Sequence, residues 1–175
     1  ATYFGFACDP ARLEEELNAL RHQYPGGDYK VRMLLDRQGD VTLQASPLTA
    51  AKKPWRVALA DQPVDATDRF LHHKTTHRVV YDQALQKRPD CDDVLLWNQE
   101  GELTESCRAN LVLTIDGQPC TPPRTCGLLP GTCRADLLTQ GKLVERTLYR
   151  EDLERADAIR LINSVRGWIE TEWCQ

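Results

Sequence analysis

The sequence predicts an α+β chain, with a small N-terminal α/β unit followed by a larger domain of mixed strands and short helices. Three features lead there. A capped helical pattern and a hairpin pattern fill residues 1–46, and residues 47–54 carry neither periodicity. From Trp55 to Gln175, short runs rich in Val, Leu and Ile alternate with turns marked by Gly and Pro.

Asp9-Pro10 opens the first helix. An aspartate before the first turn accepts hydrogen bonds from its free amides, and proline at the first helical position gives up no bond the helix needs. Leu13, Leu17 and Leu20 follow at helical spacing, and Pro25-Gly26-Gly27 stops the run. Tyr29 to Leu35 and Val41 to Ala45 read as a hairpin across Gln38-Gly39-Asp40. The stretch Ser46-Pro47-Leu48-Thr49-Ala50-Ala51-Lys52-Lys53-Pro54 is the natural linker.

In the larger domain Asp93-Val94-Leu95-Leu96-Trp97 and Asn110-Leu111-Val112-Leu113-Thr114-Ile115 read as a hairpin-like pair, with the acidic segment from Gly101 to Asn110 lying between them. Gly127, Pro130 and Gly131 punctuate a turn, a helical run follows from Thr132, and Gly141 is its stop. Ala158-Ile159-Arg160-Leu161-Ile162 is an apolar strand that delivers Asn163-Ser164 to a loop.

Composition excludes several classes. A formal charge of −4, from 22 Lys+Arg against 26 Asp+Glu, leaves no basic stripe for a nucleic acid, and no apolar run approaches a membrane span. The seven cysteines are scattered and odd in number, with no Cys-x-x-Cys pair. That spacing argues against a zinc ribbon or a disulfide framework and for a reducing, cytoplasmic setting. His72, His73 and His77 have no thiolate or carboxylate at ligand spacing, so no metal site is expected.

Four segments carry chemistry. Lys74 stands in Leu71-His72-His73-Lys74-Thr75-Thr76-His77-Arg78, and a lysine amine can hold an aldehyde cofactor as a Schiff base. Glu105, in Leu103-Thr104-Glu105-Ser106, offers a carboxylate; placed against a pyridine nitrogen, such a group keeps that nitrogen protonated and the ring electron-accepting. Leu129-Pro130-Gly131-Thr132-Cys133 starts a helix whose first amides, at Thr132 and Cys133, point toward an anion. Ile162-Asn163-Ser164-Val165-Arg166 brings a hydroxyl and backbone amides to a strand end, suited to a second anion contact.

In this order the segments resemble the fold type IV pyridoxal-phosphate enzymes, the family of branched-chain and D-amino acid aminotransferases and 4-amino-4-deoxychorismate lyases. The pairing of Lys74-Thr75-Thr76-His77-Arg78 with Leu161-Ile162-Asn163-Ser164-Val165-Arg166 is most similar to the lyase domain of bifunctional p-aminobenzoate synthases. The resemblance covers nearly the whole chain. It implies the D-amino acid aminotransferase-like large domain with a remnant of the small α/β domain, and pyridoxal 5'-phosphate as cofactor. It implies that Lys74 carries the cofactor and moves protons, and that Glu105 faces the pyridine nitrogen. It implies further that Thr132, Cys133, Ser164 and Val165 contact phosphate or a substrate carboxylate. Arg166 is a candidate for a substrate carboxylate by position, and Arg108 a weaker one.

The implied reaction is conversion of 4-amino-4-deoxychorismate to p-aminobenzoate and pyruvate. A class IV aminotransferase on the same scaffold is the alternative, and an inactive dimerisation piece of a synthase is a third reading. Implied partners are a second copy of the chain and a fused or associated aminodeoxychorismate synthase domain. Relatives open with an aspartate-glycine-rich stretch and a histidine-x-x-arginine-leucine motif that are not found here, so this chain is expected to be the C-terminal piece of a longer protein.

Overall fold

The computed structural model describes residues 1–49 and 54–174, which fall into two compact units, Ala1–Ala51 and Lys52–Gln175. The first unit contains helix α1, Pro10–Gln23, and the antiparallel strands β1, Tyr29–Leu35, and β2, Val41–Pro47. Asp9 caps α1 as its position implies, accepting from the Ala11 amide at 3.0 Å. Leu35 pairs with Val41, and the hairpin turns at Gly39, whose φ of 92° suits glycine. None of the described residues of this unit is buried. Residues 50–53 of the expected linker lie outside the described residues; Pro47 ends β2.

The second unit is built on one sheet. Its elements are β3, Trp55–Leu59; α2, Val79–Gln86; β4, Asp93–Trp97; β5, Leu103–Ser106; β6, Asn110–Ile115; and β7, Gln118–Thr121. They continue with α3, Thr132–Thr139; β8, Val144–Glu145; α4, Asp152–Arg155; β9, Ala158–Asn163; and β10, Gly167–Trp173. The strand order is β5-β4-β3-β10-β9-β6-β7-β8, and β5 also pairs with β6 through Glu105 and Asn110. That extra pairing closes the first six strands in this order into a ring.

The ring contradicts one expectation. Residues 93–97 and 110–115 are strands, but they do not pair with each other, because the acidic segment between them contributes a strand of its own, β5. The chain turns at Gly101, with φ 80°, and β5 runs back antiparallel to β4 before a second turn leads into β6. Glu105 therefore lies in a strand, at the seam where the ring closes.

Alternation along the strands sorts the apolar side chains into separate layers. Val57, Leu95, Leu103, Leu111, Leu113, Leu148, Leu161 and Ile169 form one core. Their sequence neighbours Val94 and Leu96 join Tyr81 of α2 in a second cluster, while Val112 and Ile162 meet Leu137 of α3 in a third. The two helices are thus fixed against the ring by residues one step out of register with its core.

Two local features matter further. Gly127 has φ 92°, and a Cβ there would lie 2.7 Å from Ala66 Cα, so the turn before α3 sits directly on the 64–66 loop. Gly127→Ala is expected to lower stability by about 2 kcal/mol or more, since both the left-handed backbone and the contact resist a methyl group. Urea unfolding measures it. Cys91 and Cys174 are joined as a disulfide, a single link that the scattered cysteine spacing did not signal and that runs against the reducing setting read from it. They are 83 residues apart in sequence, and only the parallel neighbours β3, β4 and β10 bring them together, with Cα atoms 6.3 Å apart. Among the described residues no helix is long and apolar enough to cross a membrane.

Candidate active site

Glu105 is the polar centre of the second unit. Its residue is only 4% exposed, and its Oε1 accepts from the Tyr81 hydroxyl at 2.9 Å and from the Leu129 amide at 3.2 Å. Oε2 has a longer contact, from Asn110 Nδ2 at 3.4 Å, and the same amide nitrogen donates to Leu129 O at 2.8 Å. Burial pushes the Glu105 carboxyl up to about 8, against the opposing pull of the Leu129 and Tyr81 hydrogen bonds and of the Lys74 and Arg78 charges. Burial and the adjacent carboxylate also push the Tyr81 phenol upward, so Tyr81 is the donor of that pair. A buried carboxyl with one well-bonded and one poorly bonded oxygen suits a cationic N–H partner.

The loop that supplies the Leu129 amide leads straight into α3. Gly131 is the N-cap, with no side-chain cap, and a Cβ on it would lie 2.3 Å from Asn110 Oδ1. Only glycine fits there without displacing Asn110. The first amides of α3 lack acceptors within the helix and carry the positive end of its dipole. Thr132, the first helical residue, has its Oγ1 3.0 Å from Ser164 Oγ. Residues 32 apart in sequence thus place two hydroxyls together at a helix N-terminus.

Ser164 occupies the tight turn between β9 and β10. Asn163 Oδ1 accepts from the Val165 amide at 3.1 Å and the Arg166 amide at 2.9 Å, so the Val165 amide, expected to meet an anion, is bound within the turn. Cys133 is half-buried, and burial followed by the charge of Asp136 raises its thiol pKa. Arg166 has its guanidinium 5.9 Å from the Trp55 ring centroid.

Lys74 is exposed, in the loop that precedes α2. Residues 74–78 are not helical, and Arg78 is the residue before α2 begins. Its guanidinium donates to Cys107 O at 2.6 Å and lies 4.6 Å from the Tyr81 ring centroid. The histidines do not converge: His72 Nε2 contacts Ala66 O at 3.0 Å, whereas His77 stacks on Phe70 at 4.1 Å. Arg108 reaches the Asp92 carbonyl, and Glu102 accepts from Asn98 Nδ2 at 2.7 Å. Tyr81 and the Leu129 amide were not singled out from sequence. Tyr81 carried one usable signal, a phenol on the buried face of a short helix just after Lys74.

The model of the family described as "Amino-transferase class IV" matches residues 1–171. The chain belongs to that family. It is 31% identical over 180 residues to a Schizosaccharomyces pombe protein named "Putative aminodeoxychorismate lyase", covering 89% of this chain and 78% of that protein. A Mesorhizobium loti structure named as a "Putative amino-acid aminotransferase" superimposes with a TM-score of 0.91 at 35% identity, over 99% of this chain and 86% of that one. A Haemophilus somnus structure named as a "putative 4-amino-4-deoxychorismate lyase" gives a TM-score of 0.72 at 27% identity, over 95% and 82% of the two chains. The class IV family is pyridoxal-phosphate-dependent.

The class IV cofactor fits the residues present. Glu105 Oε2 would meet a protonated ring nitrogen, and the uncapped start of α3 with the Thr132–Ser164 hydroxyl pair would meet an anion. Thr132→Pro is expected to preserve α3, because proline is accepted at the first helical position and Gly131, at φ −63° and ψ 146°, already has the backbone that a following proline demands. The same change removes both an amide and a hydroxyl, so cofactor affinity should fall roughly a hundredfold or more, at about 1.5 to 3 kcal/mol per lost hydrogen bond to a charged group. Cys133→Ser should leave affinity nearly unchanged. Fluorescence titration with pyridoxal phosphate distinguishes the two.

Proposed function

We propose that this class IV enzyme is a pyridoxal-phosphate-dependent lyase that converts 4-amino-4-deoxychorismate to p-aminobenzoate and pyruvate. The observation that carries the reading is the grouping around Glu105. One loop, from Leu129 to Thr132, both bonds the buried carboxyl and starts the helix that meets Ser164. The likeness to the fission yeast and Haemophilus proteins supports the choice of substrate.

When bound, the cofactor supplies an electron sink for a carbanion beside the substrate amine. In this reading Lys74 first anchors the cofactor. With the cofactor bound, the Lys74 amine would also be the base that takes the proton from the amine-bearing ring carbon. Glu105 would hold the ring nitrogen in its charged form, and Thr132 and Ser164 would hold the phosphate. Arg166, at the edge of the β9–β10 turn, binds a substrate carboxylate. Breaking of the bond from the ring to the enolpyruvyl oxygen releases enolpyruvate, which takes up a proton to become pyruvate, and the remaining ring is aromatic.

The Mesorhizobium structure favours a second reading, transamination. Product balance separates the two. The lyase reading expects p-aminobenzoate and pyruvate in equal amounts with no keto-acid acceptor. A requirement for 2-oxoglutarate together with consumption of an ordinary amino acid would replace it with the aminotransferase reading.

A further inference from the structure

We propose that Tyr81 is a positioning residue for Glu105: its hydroxyl and the Leu129 amide hold Oε1, so that Oε2 is the oxygen presented to the cofactor's ring nitrogen. The inference rests on the reading of Glu105 as the partner of that nitrogen. It is carried by the asymmetry of the carboxyl group. Among the described residues Oε1 accepts two hydrogen bonds, at 2.9 and 3.2 Å, whereas Oε2 has only the 3.4 Å contact from Asn110, whose shorter bond of 2.8 Å goes to Leu129 O.

Tyr81 is itself held. It is 7% exposed, within the apolar cluster of Val94, Leu96 and Cys107, and its ring lies under the Arg78 guanidinium. Arg78 is fixed in turn by the Cys107 carbonyl. A phenol so confined has one orientation for its donor, and that donor favours the charged form of the carboxyl. Because Leu129 begins the loop that ends at Thr132, the same segment sets both the carboxyl's orientation and the start of α3. The charges acting on Glu105 besides these donors are those of Lys74 and Arg78.

The test compares the wild-type protein with Tyr81→Phe, each loaded with pyridoxal phosphate labelled with ¹⁵N in the ring. Loss of the phenol donor makes the carboxyl more basic, so the ring-nitrogen signal should move from the protonated toward the unprotonated position. In the cofactor-free protein, the Glu105 carboxyl, followed by ¹³C NMR, should titrate about one pH unit higher in Tyr81→Phe, as expected for losing one hydrogen bond to a charged group. A 3,5-difluorotyrosine at position 81, a stronger donor on the same ring, should move both signals the opposite way and serves if the phenylalanine variant fails to fold. A lower melting temperature with both signals unmoved would overturn the proposal, leaving Tyr81 a packing residue. If the wild type holds no cofactor, the cofactor reading fails, and the cofactor-free titration still decides whether Tyr81 holds Glu105.

Discussion

Lys74→Ala is expected to fold normally and to lose turnover by at least about 10⁴-fold, the upper range for removing a general base, with loss of the anchoring amine added to it. The fold should survive because Lys74 is exposed in the loop before α2, and truncating such a side chain changes stability by only about 0.5 kcal/mol or less. Its charge does act on the site, offsetting part of the cost of burying Glu105. Lys87→Ala removes a similarly exposed lysine from the far end of α2 and should leave turnover unchanged. Circular dichroism, thermal unfolding and the product assay on the two variants separate a chemical loss from a structural one. Equal activity in both would remove Lys74 from the mechanism.

Glu105→Gln should hold the cofactor yet turn over about 10²- to 10³-fold more slowly, the range for losing one preorganised electrostatic contact to developing charge. The isosteric amide still accepts from Tyr81 and Leu129 through its oxygen, so the seam between β5 and β6 should persist. The same substitution exposes a pH dependence in the cofactor-free protein. Burial raises the Glu105 carboxyl from 4.5 to about 8, so across that window the folded state keeps a proton that the unfolded state releases. Stability contributed by this group is therefore present in full below the unfolded value and is lost as pH rises through the folded one, at up to about 1.4 kcal/mol per pH unit. Urea unfolding of wild type and Glu105→Gln at several pH values should show this slope in the difference between them, steepest midway between 4.5 and about 8 and fading below the lower value.

The parts of the fold written in adjacent residues were legible. Asp9-Pro10 announced α1, Gly39 the β1–β2 hairpin, and Gly131-Thr132 the start of α3, because capping and turn chemistry act over a few residues. Leu103-Thr104-Glu105-Ser106 was not legible as a strand. It is short, and its two polar residues and its acid are buried only because β4 and β6 flank it. The Cys91–Cys174 link escaped for the same reason, since spacing cannot reveal a contact made by parallel strands distant in sequence.

In the site, the sequence singles out residue types and not the contacts between them. Thr132 and Ser164 each stood out as anion donors, but their meeting depends on α3 packing over β6 and β9 through Val112, Leu137 and Ile162. Glu105 and its neighbouring acid Glu102 differ in partner: the buried Tyr81 and Leu129 for one, Asn98 at the β4–β5 turn for the other. Val165 shows the opposite case. Its amide was a plausible anion donor from sequence, but Asn163 two residues earlier takes it up in the turn.

In the proposed reaction Lys74 carries pyridoxal phosphate opposite Glu105. Borohydride reduction of the cofactor-loaded protein, followed by digestion and mass spectrometry, tests it most directly. A phosphopyridoxyl group on the peptide containing Lys74, lost in Lys74→Ala and retained in Lys87→Ala, is the predicted result. An adduct on Lys87 or Lys142, or none on a protein that still turns over its substrate, would contradict it.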